Sequence, residues 1–154
     1  MDTVYLDTNV YVACYGDRRG KKALISESEE SDKLLQKIRE GKCKLTTSDH
    51  LERQLDVYLP KYMQFVKELD GLGLRNQVTV ESTDIEAAEK EVSLLPKNAT
   101  DFEDALHFVL AKKAGVHYLV TWNLPDFNWF QKRIHVVTPN GVGSPWVPRC
   151  NMCQ

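Results

Sequence analysis

The chain has 154 residues, enough for one ordinary domain with a core of its own. Its 42% hydrophobic and 27% charged residues are the balance of a globular protein and exclude a disordered or fibrous one. A net charge of −2 separates it from proteins that hold nucleic acid by backbone electrostatics alone, so any such contact needs a local basic patch, a metal ion or a partner.

No apolar run approaches the roughly 18 residues of a membrane span, and the N-terminus lacks the basic and apolar segments of a secretory signal. No membrane association is expected, and the cytoplasm is the default location. In chain order, Val4-Tyr5-Leu6 is a short apolar run that ends abruptly at Asp7. The cluster Gly16-Asp17-Arg18-Arg19-Gly20-Lys21-Lys22 follows, read either as a solvated loop or as a basic patch that steers a phosphate backbone. Helical spacing over 26–40 stops at Gly41, and an apolar run over 43–47 follows it. A longer helical stretch, about 48–69, is expected to break near Pro60 and to close at Gly71 and Gly73. Another short apolar run occupies 78–80.

Thr83…Glu86 and Thr100…Glu103 both fit the capping box that opens a helix. The second leads into Phe102, Ala105, Leu106, Val109 and Leu110 and ends near Gly115. Runs over 118–121 and 134–138 complete the series. These runs are short, rich in β-branched residues and not alternating, which suits strands buried on both faces of a parallel sheet. The order β-α-α-β-α-α-β-α-β-α-β implies right-handed crossovers and a three-layer α/β/α domain of Rossmann-like topology. One domain over 1–140, followed by a tail over 141–154, is expected. Of the four cysteines, Cys14 and Cys43 sit among apolar residues as reduced core thiols. Cys150 and Cys153 form a lone C-x-x-C without the second pair that a zinc site needs, and read as part of a reduced tail.

In open parallel sheets ligands bind outside the carboxyl ends of the strands. Asp7 lies at the end of the first strand, Asn123 just past the run over 118–121, and Asp104 in the first turn of the helix feeding that run. Carboxylates gathered there repel one another, and a hard cation such as Mg²⁺ or Mn²⁺ removes that penalty. Each acid also has a simpler reading. Asp7 in Asp7-Thr8-Asn9 is good N-cap chemistry, and Asp101 and Asp104 complement a helix dipole. Asp104 heads a helix that is apolar nearly all round, which favours a buried, functional carboxylate.

The strings Tyr5-Leu6-Asp7-Thr8-Asn9-Val10, Asp101-Phe102-Glu103-Asp104-Ala105-Leu106-His107 and Leu119-Val120-Thr121-Trp122-Asn123-Leu124-Pro125-Asp126-Phe127 resemble the PIN domain in order and spacing. Val136-Val137-Thr138-Pro139 resembles the family's last strand and turn. The resemblance implies a PIN-like domain over 1–140 with metal-dependent nuclease activity. It also implies that Asp7 and Asp104 hold Mg²⁺ or Mn²⁺, and that Thr121 and Asn123 position metal, water or a neighbouring carboxylate. Thr8 and Asn9 would orient the first acid. Asp126 would supply the charge that the family often has where Asn123 stands.

The family usually places a Glu in the helix after the second strand, and Gln54 occupies that place here. Either the register shifts and Glu52 takes the role, or Gln54 is a neutral substitute. On a helix, Glu52 and Asp49 point away from the face of Gln54. His107, one turn beyond Asp104, reads as a satisfied core group or as a contact to the site. Trp122, Trp129 and Trp146 read mainly as packing residues.

The resemblance therefore implies an endoribonuclease that hydrolyses RNA, paired as a toxin with an antitoxin protein and forming a homodimer. The alternative is a catalytically weakened PIN-like module that binds RNA or a protein partner. A dehalogenase-type phosphatase would need Asp where Asn9 stands, and a dinucleotide-binding fold would need a G-x-G-x-x-G after the first strand.

Overall fold

The computed structural model describes residues 1–16 and 22–146. Its strands are β1 (Asp2–Leu6), β2 (Cys43–Ser48), β3 (Arg75–Val78), β4 (Tyr118–Val120) and β5 (Val136–Val137). All are parallel, in the order β3-β2-β1-β4-β5. The helices are α1 (Thr8–Tyr15), α2 (Lys22–Arg39), α3 (Asp49–Leu55), α4 (Leu59–Gly71), α5 (Ser82–Ser93), α6 (Phe102–Ala114) and α7 (Leu124–Phe127). They flank the central sheet in three layers, as the alternating pattern requires.

The apolar runs explain the interior. Val4, Tyr5 and Leu6 of β1 and Tyr118, Leu119 and Val120 of β4 are all buried, so both faces of the two central strands are covered. Phe108 of α6 stacks on Phe130 with ring centroids 4.1 Å apart, and the Arg133 guanidinium lies 4.7 Å from the Phe108 ring centre. Cys14 and Cys43 are buried among apolar residues, as expected.

The departures from the sequence reading have local causes. The third strand is Arg75–Val78 rather than 78–80. It is an edge strand with a largely polar sequence, so an apolar criterion passes over it. The residue expected to lie inside that strand, Val80, donates its N–H to the Asp49 carboxylate at 2.9 Å. β4 and β5 are shorter than the runs over 118–121 and 134–138. The long helical stretch breaks at Asp56, whose φ of 45° lies outside the helical region, and not at Pro60. Pro60 sits in the first turn of α4, where no N–H is needed.

Two helices, α5 and α6, rather than one, separate β3 from β4. The box of α5 is Glu81 with Asp84, so Thr83 is already helical. At α6 the cap is Asp101, whose carboxylate accepts the Asp104 N–H at 2.8 Å, one residue later than Thr100. In both places an acid, Glu81 or Asp101, stands at the cap instead of the expected Thr. Gly115 closes α6 at φ 70°, the left-handed conformation that a residue with a Cβ rarely adopts.

Because β2 and β3 are laid down on one side of β1 and β4 and β5 on the other, the chain reverses direction across the sheet between β1 and β4. The carboxyl ends of these neighbouring strands thus border a crevice.

Candidate active site

Asp7 ends β1 and caps α1. Its carboxylate accepts from Thr8 N at 2.7 Å, from Asn9 Nδ2 at 3.1 Å and from Thr121 Oγ1 at 2.8 Å. The cap reading of this residue thus holds, and the carboxylate is held by two further side chains. Thr121, fully buried just past β4, also accepts from Asn9 Nδ2 and from Asn123 N, both at 3.0 Å. Asn9 Oδ1 takes the Trp122 N–H at 3.0 Å, tying the start of α1 to the end of β4. Asn9 and Thr121 hold Asp7 as expected, whereas the Thr8 hydroxyl turns to Gln54 instead.

Burial raises the Asp7 carboxyl to about 6, against the hydrogen bonds from Thr121 and Thr8, and the charges of Asp101 and Asp126 add to the effect. Asp104 is raised further, to about 8, first by burial and then by the charges of Asp7, Asp101 and Asp126 and by a hydrogen bond with Asp126. Four carboxylates thus feel one another in the crevice. Asp126 reaches it from α7, where its carboxylate also takes a short hydrogen bond from Asn123 Nδ2. Asn123 meets the cluster through Asp126.

Neither candidate for the second acid behaves as an acid of this cluster. Glu52 exerts its charge on Tyr62 and Arg75, away from Asp7, and the register shift does not occur. Gln54 stands beside the site with both its Oε1 and its Nε2 bonded. Its Oε1 accepts from Thr8 Oγ1 at 2.5 Å and lies 2.6 Å from His107 Nε2, and its Nε2 donates to Glu103 Oε2 at 3.3 Å.

His107 is fully buried, and burial with the nearby His50 keeps its pKa well below the ordinary value, so the imidazole is neutral. Its Nδ1 lies 2.7 Å from Tyr5 Oη, which lies 2.8 Å from Ser48 Oγ. One proton arrangement satisfies the whole chain. Ser48 donates to Tyr5, Tyr5 to His107 Nδ1, and His107 Nε2 to Gln54 Oε1. His107 Nε2 is also 3.4 Å from Asp7 Oδ1, so the histidine is both a satisfied core group and a neighbour of the site.

The sequence reading missed Tyr5, Ser48, His50 and Glu103 as members of this neighbourhood. One signal was present for His50, which lies at i, i+4 from Gln54 and so shares its helix face. The basic cluster over 17–21 and the pair Cys150 and Cys153 lie outside the described residues. Trp122 packs as expected, its indole N–H donating to Ser31 Oγ at 2.8 Å.

The fold and these strand-end residues can be set beside known proteins. A family profile described as PIN domain matches residues 3–125. The chain belongs to the PIN-domain family. One similar solved structure is the crystal structure of VapBC2 from Rickettsia felis bound to a DNA fragment from their promoter. The likeness has a TM-score of 0.53 at 15% identity and covers 87% of this chain and 96% of that one, which speaks for the fold. No curated protein matches in sequence. PIN domains are generally nucleases that use divalent metals. The donors here fit a hard cation in kind, since Asp7, Asp104 and Asp126 offer carboxylate oxygens, and burial and neighbouring acids raise the first two. Among the described residues, no group of three His, Cys, Asp or Glu side chains already converges as a metal cage.

Proposed function

We propose that this PIN-domain protein is a divalent-metal-dependent endoribonuclease whose working unit spans residues 1–140. The observation that carries the reading is the pair of site carboxyls, Asp7 raised to about 6 by burial and the charges of Asp101 and Asp126, and Asp104 raised to about 8 by burial and the charges of Asp7, Asp101 and Asp126. Such a pair is unfavourable unless a cation or a proton joins it. Asp7 and Asp104 would hold Mg²⁺ or Mn²⁺, with Asp126 as the third carboxylate. The bound cation supplies an acidified water and charge neutralisation for phosphodiester hydrolysis. Thr121 and Asn9 fix the Asp7 carboxylate, and Asn123 fixes Asp126, so that neither acid needs to reorganise.

The similarity to a structure named VapBC2 supports a toxin role with an antitoxin protein as partner, and the reading is completed by a homodimer in the cytoplasm. Co-purification with the product of an adjacent reading frame tests that part. For the enzyme, the test is single-stranded RNA cleavage with Mg²⁺ or Mn²⁺ against an EDTA control, on wild type, Asp7→Ala and Asp104→Ala with unchanged circular dichroism. Metal-dependent cleavage lost in both variants is expected. Cleavage that persists in EDTA or in Asp7→Ala rejects the reading.

One observation favours a second reading, a weakened module that binds RNA or protein without cutting. Gln54 is neutral and is locked to Thr8, His107 and Glu103. A metal titration separates the two, because the module would show no Mn²⁺ affinity.

A further inference from the structure

Two cavities meet at His135 and Trp146. The larger, about 610 Å³, lies along β5, the last strand of the sheet. Leu124 and Pro125, the residues between Asn123 and Asp126, bound one end of it, and His135 and Trp146 bound the other. The smaller, about 310 Å³, takes over at the same two rings and reaches Lys112 and Arg133. The site carboxylates line neither cavity, but the larger one begins beside the turn that carries Asp126. We propose that the two form a groove for single-stranded RNA, in which Trp146 and His135 stack a base and Lys112 and Arg133 hold the phosphate beyond it. The proposal rests on the RNA-cleaving reading above and gives that substrate a hold that needs no metal.

Charge favours that occupant. The chain has 22 acidic residues, yet among the described residues none lines either cavity. A protein of net charge −2 needs such a local exception before a phosphate backbone can approach. Lys112 is exposed and has no acidic partner among the described residues. Its ammonium gives one N–H to the Arg133 carbonyl at 2.7 Å, which leaves two N–H groups and the full charge for a ligand. Arg133 is paired with Glu91 at 2.7 Å and lies over Phe108, so it adds donors rather than net charge.

The aromatic pair supplies the platform. Trp146 is 44% exposed, yet its indole is fixed, because Nε1–H donates to the Gln131 carbonyl at 3.0 Å. The His135 ring lies 6.2 Å away and only 17° from parallel. Burial lowers the His135 pKa, so this ring offers a neutral face. Held aromatic faces beside a free cation are what single strands stack on without regard to sequence. A peptide strand added to β5 is the rival occupant. It would need a free ladder, but β5 has two residues, and its Val136 carbonyl already accepts from Gln131 Nε2 at 3.2 Å.

The test is fluorescence-anisotropy titration of a labelled uridine hexanucleotide with the full chain, in EDTA at low salt, with circular dichroism checking the fold of each variant. The wild type is expected to bind it. Trp146→Ala should bind roughly tenfold more weakly, the size of one lost base–aromatic stack, and Trp146→Phe should recover most of that. Lys112→Ala should also weaken binding and reduce the slope of log K against log salt by about 0.7, one phosphate contact on a single strand. No binding by the wild type, or binding that both Trp146→Ala and Lys112→Ala leave intact, overturns the proposal. So does a co-purifying protein lost from Trp146→Ala while RNA binding stays unchanged. Groove-dependent binding by a chain that never cleaves RNA would instead reject the catalytic reading and leave the groove standing. Metal-dependent cleavage by a chain whose RNA binding ignores Trp146 and Lys112 does the reverse.

Discussion

Neutralising Asp104 should make the metal-free protein more stable, and only above acid pH. Its carboxyl moves from 3.8 to about 8 on folding, so the folded state holds a proton that the unfolded chain has already lost. The resulting penalty is absent below about pH 4, grows as pH rises through the interval to about 8, and is constant beyond. About four pH units at about 1.36 kcal/mol each set a ceiling of about 6 kcal/mol. Asp104 is partly open to water, which screens the charge and reduces that to about 3 kcal/mol. Losing an acid from the first turn of α6 gives back about 0.5–1 kcal/mol. Asp104→Asn should therefore gain about 2 kcal/mol at pH 8–9, or roughly 4–8 °C in melting temperature for a domain of this size. Melts in EDTA from pH 4 to 9 measure it. A gain that is the same at pH 4 and pH 9, or a loss at pH 9, refutes the claim that Asp104 is held against its charge.

Tyr5→Phe leaves Ser48 Oγ and His107 Nδ1 without their shared partner in the core, which should cost about 1–3 kcal/mol in urea unfolding. Phe108→Ala removes the ring stacked on Phe130 and faced by Arg133, and a loss of about 3–5 kcal/mol is expected in the same assay. Gln54→Glu sets a carboxylate where the amide now donates to Glu103 at 3.3 Å. It should destabilise the metal-free protein by about 1–3 kcal/mol at pH 8, with Mn²⁺ recovering the loss in a thermal melt. Failure of Mn²⁺ to recover it would mean that position 54 does not face the cation.

Much of the architecture was legible because the chain announces it in residues buried on both sides. Val4-Tyr5-Leu6 and Tyr118-Leu119-Val120 have nowhere to go but the middle of a parallel sheet, and Gly41 and Gly115 close their helices where expected. β3 was misplaced because an edge strand has one free flank, and Arg75, Asn76 and Gln77 satisfy it without apolar patterning. At the site, the acids at the strand ends were visible from topology. The polar chain through Tyr5, Ser48 and His107 was not, since each member looks like ordinary core or cap material until residues 43 and 102 positions apart meet. Choosing between Glu52 and Gln54 likewise required knowing which face of α3 turns inward.

The reversal between β1 and β4 also governs when the site can exist. Asp7 emerges among the first residues made, yet its backbone N–H waits for the Val120 carbonyl and its carboxylate for the Thr121 hydroxyl, 114 residues later. Such distant pairing is slow to form, because the intervening loop must close first. A ribosome-bound chain whose exposed portion stops short of residue 120 has the first acid without the Val120 and Thr121 partners and without β4 to seat it. An enzyme that cuts RNA would thus remain harmless to the machinery translating it until most of its own sequence had left the exit tunnel.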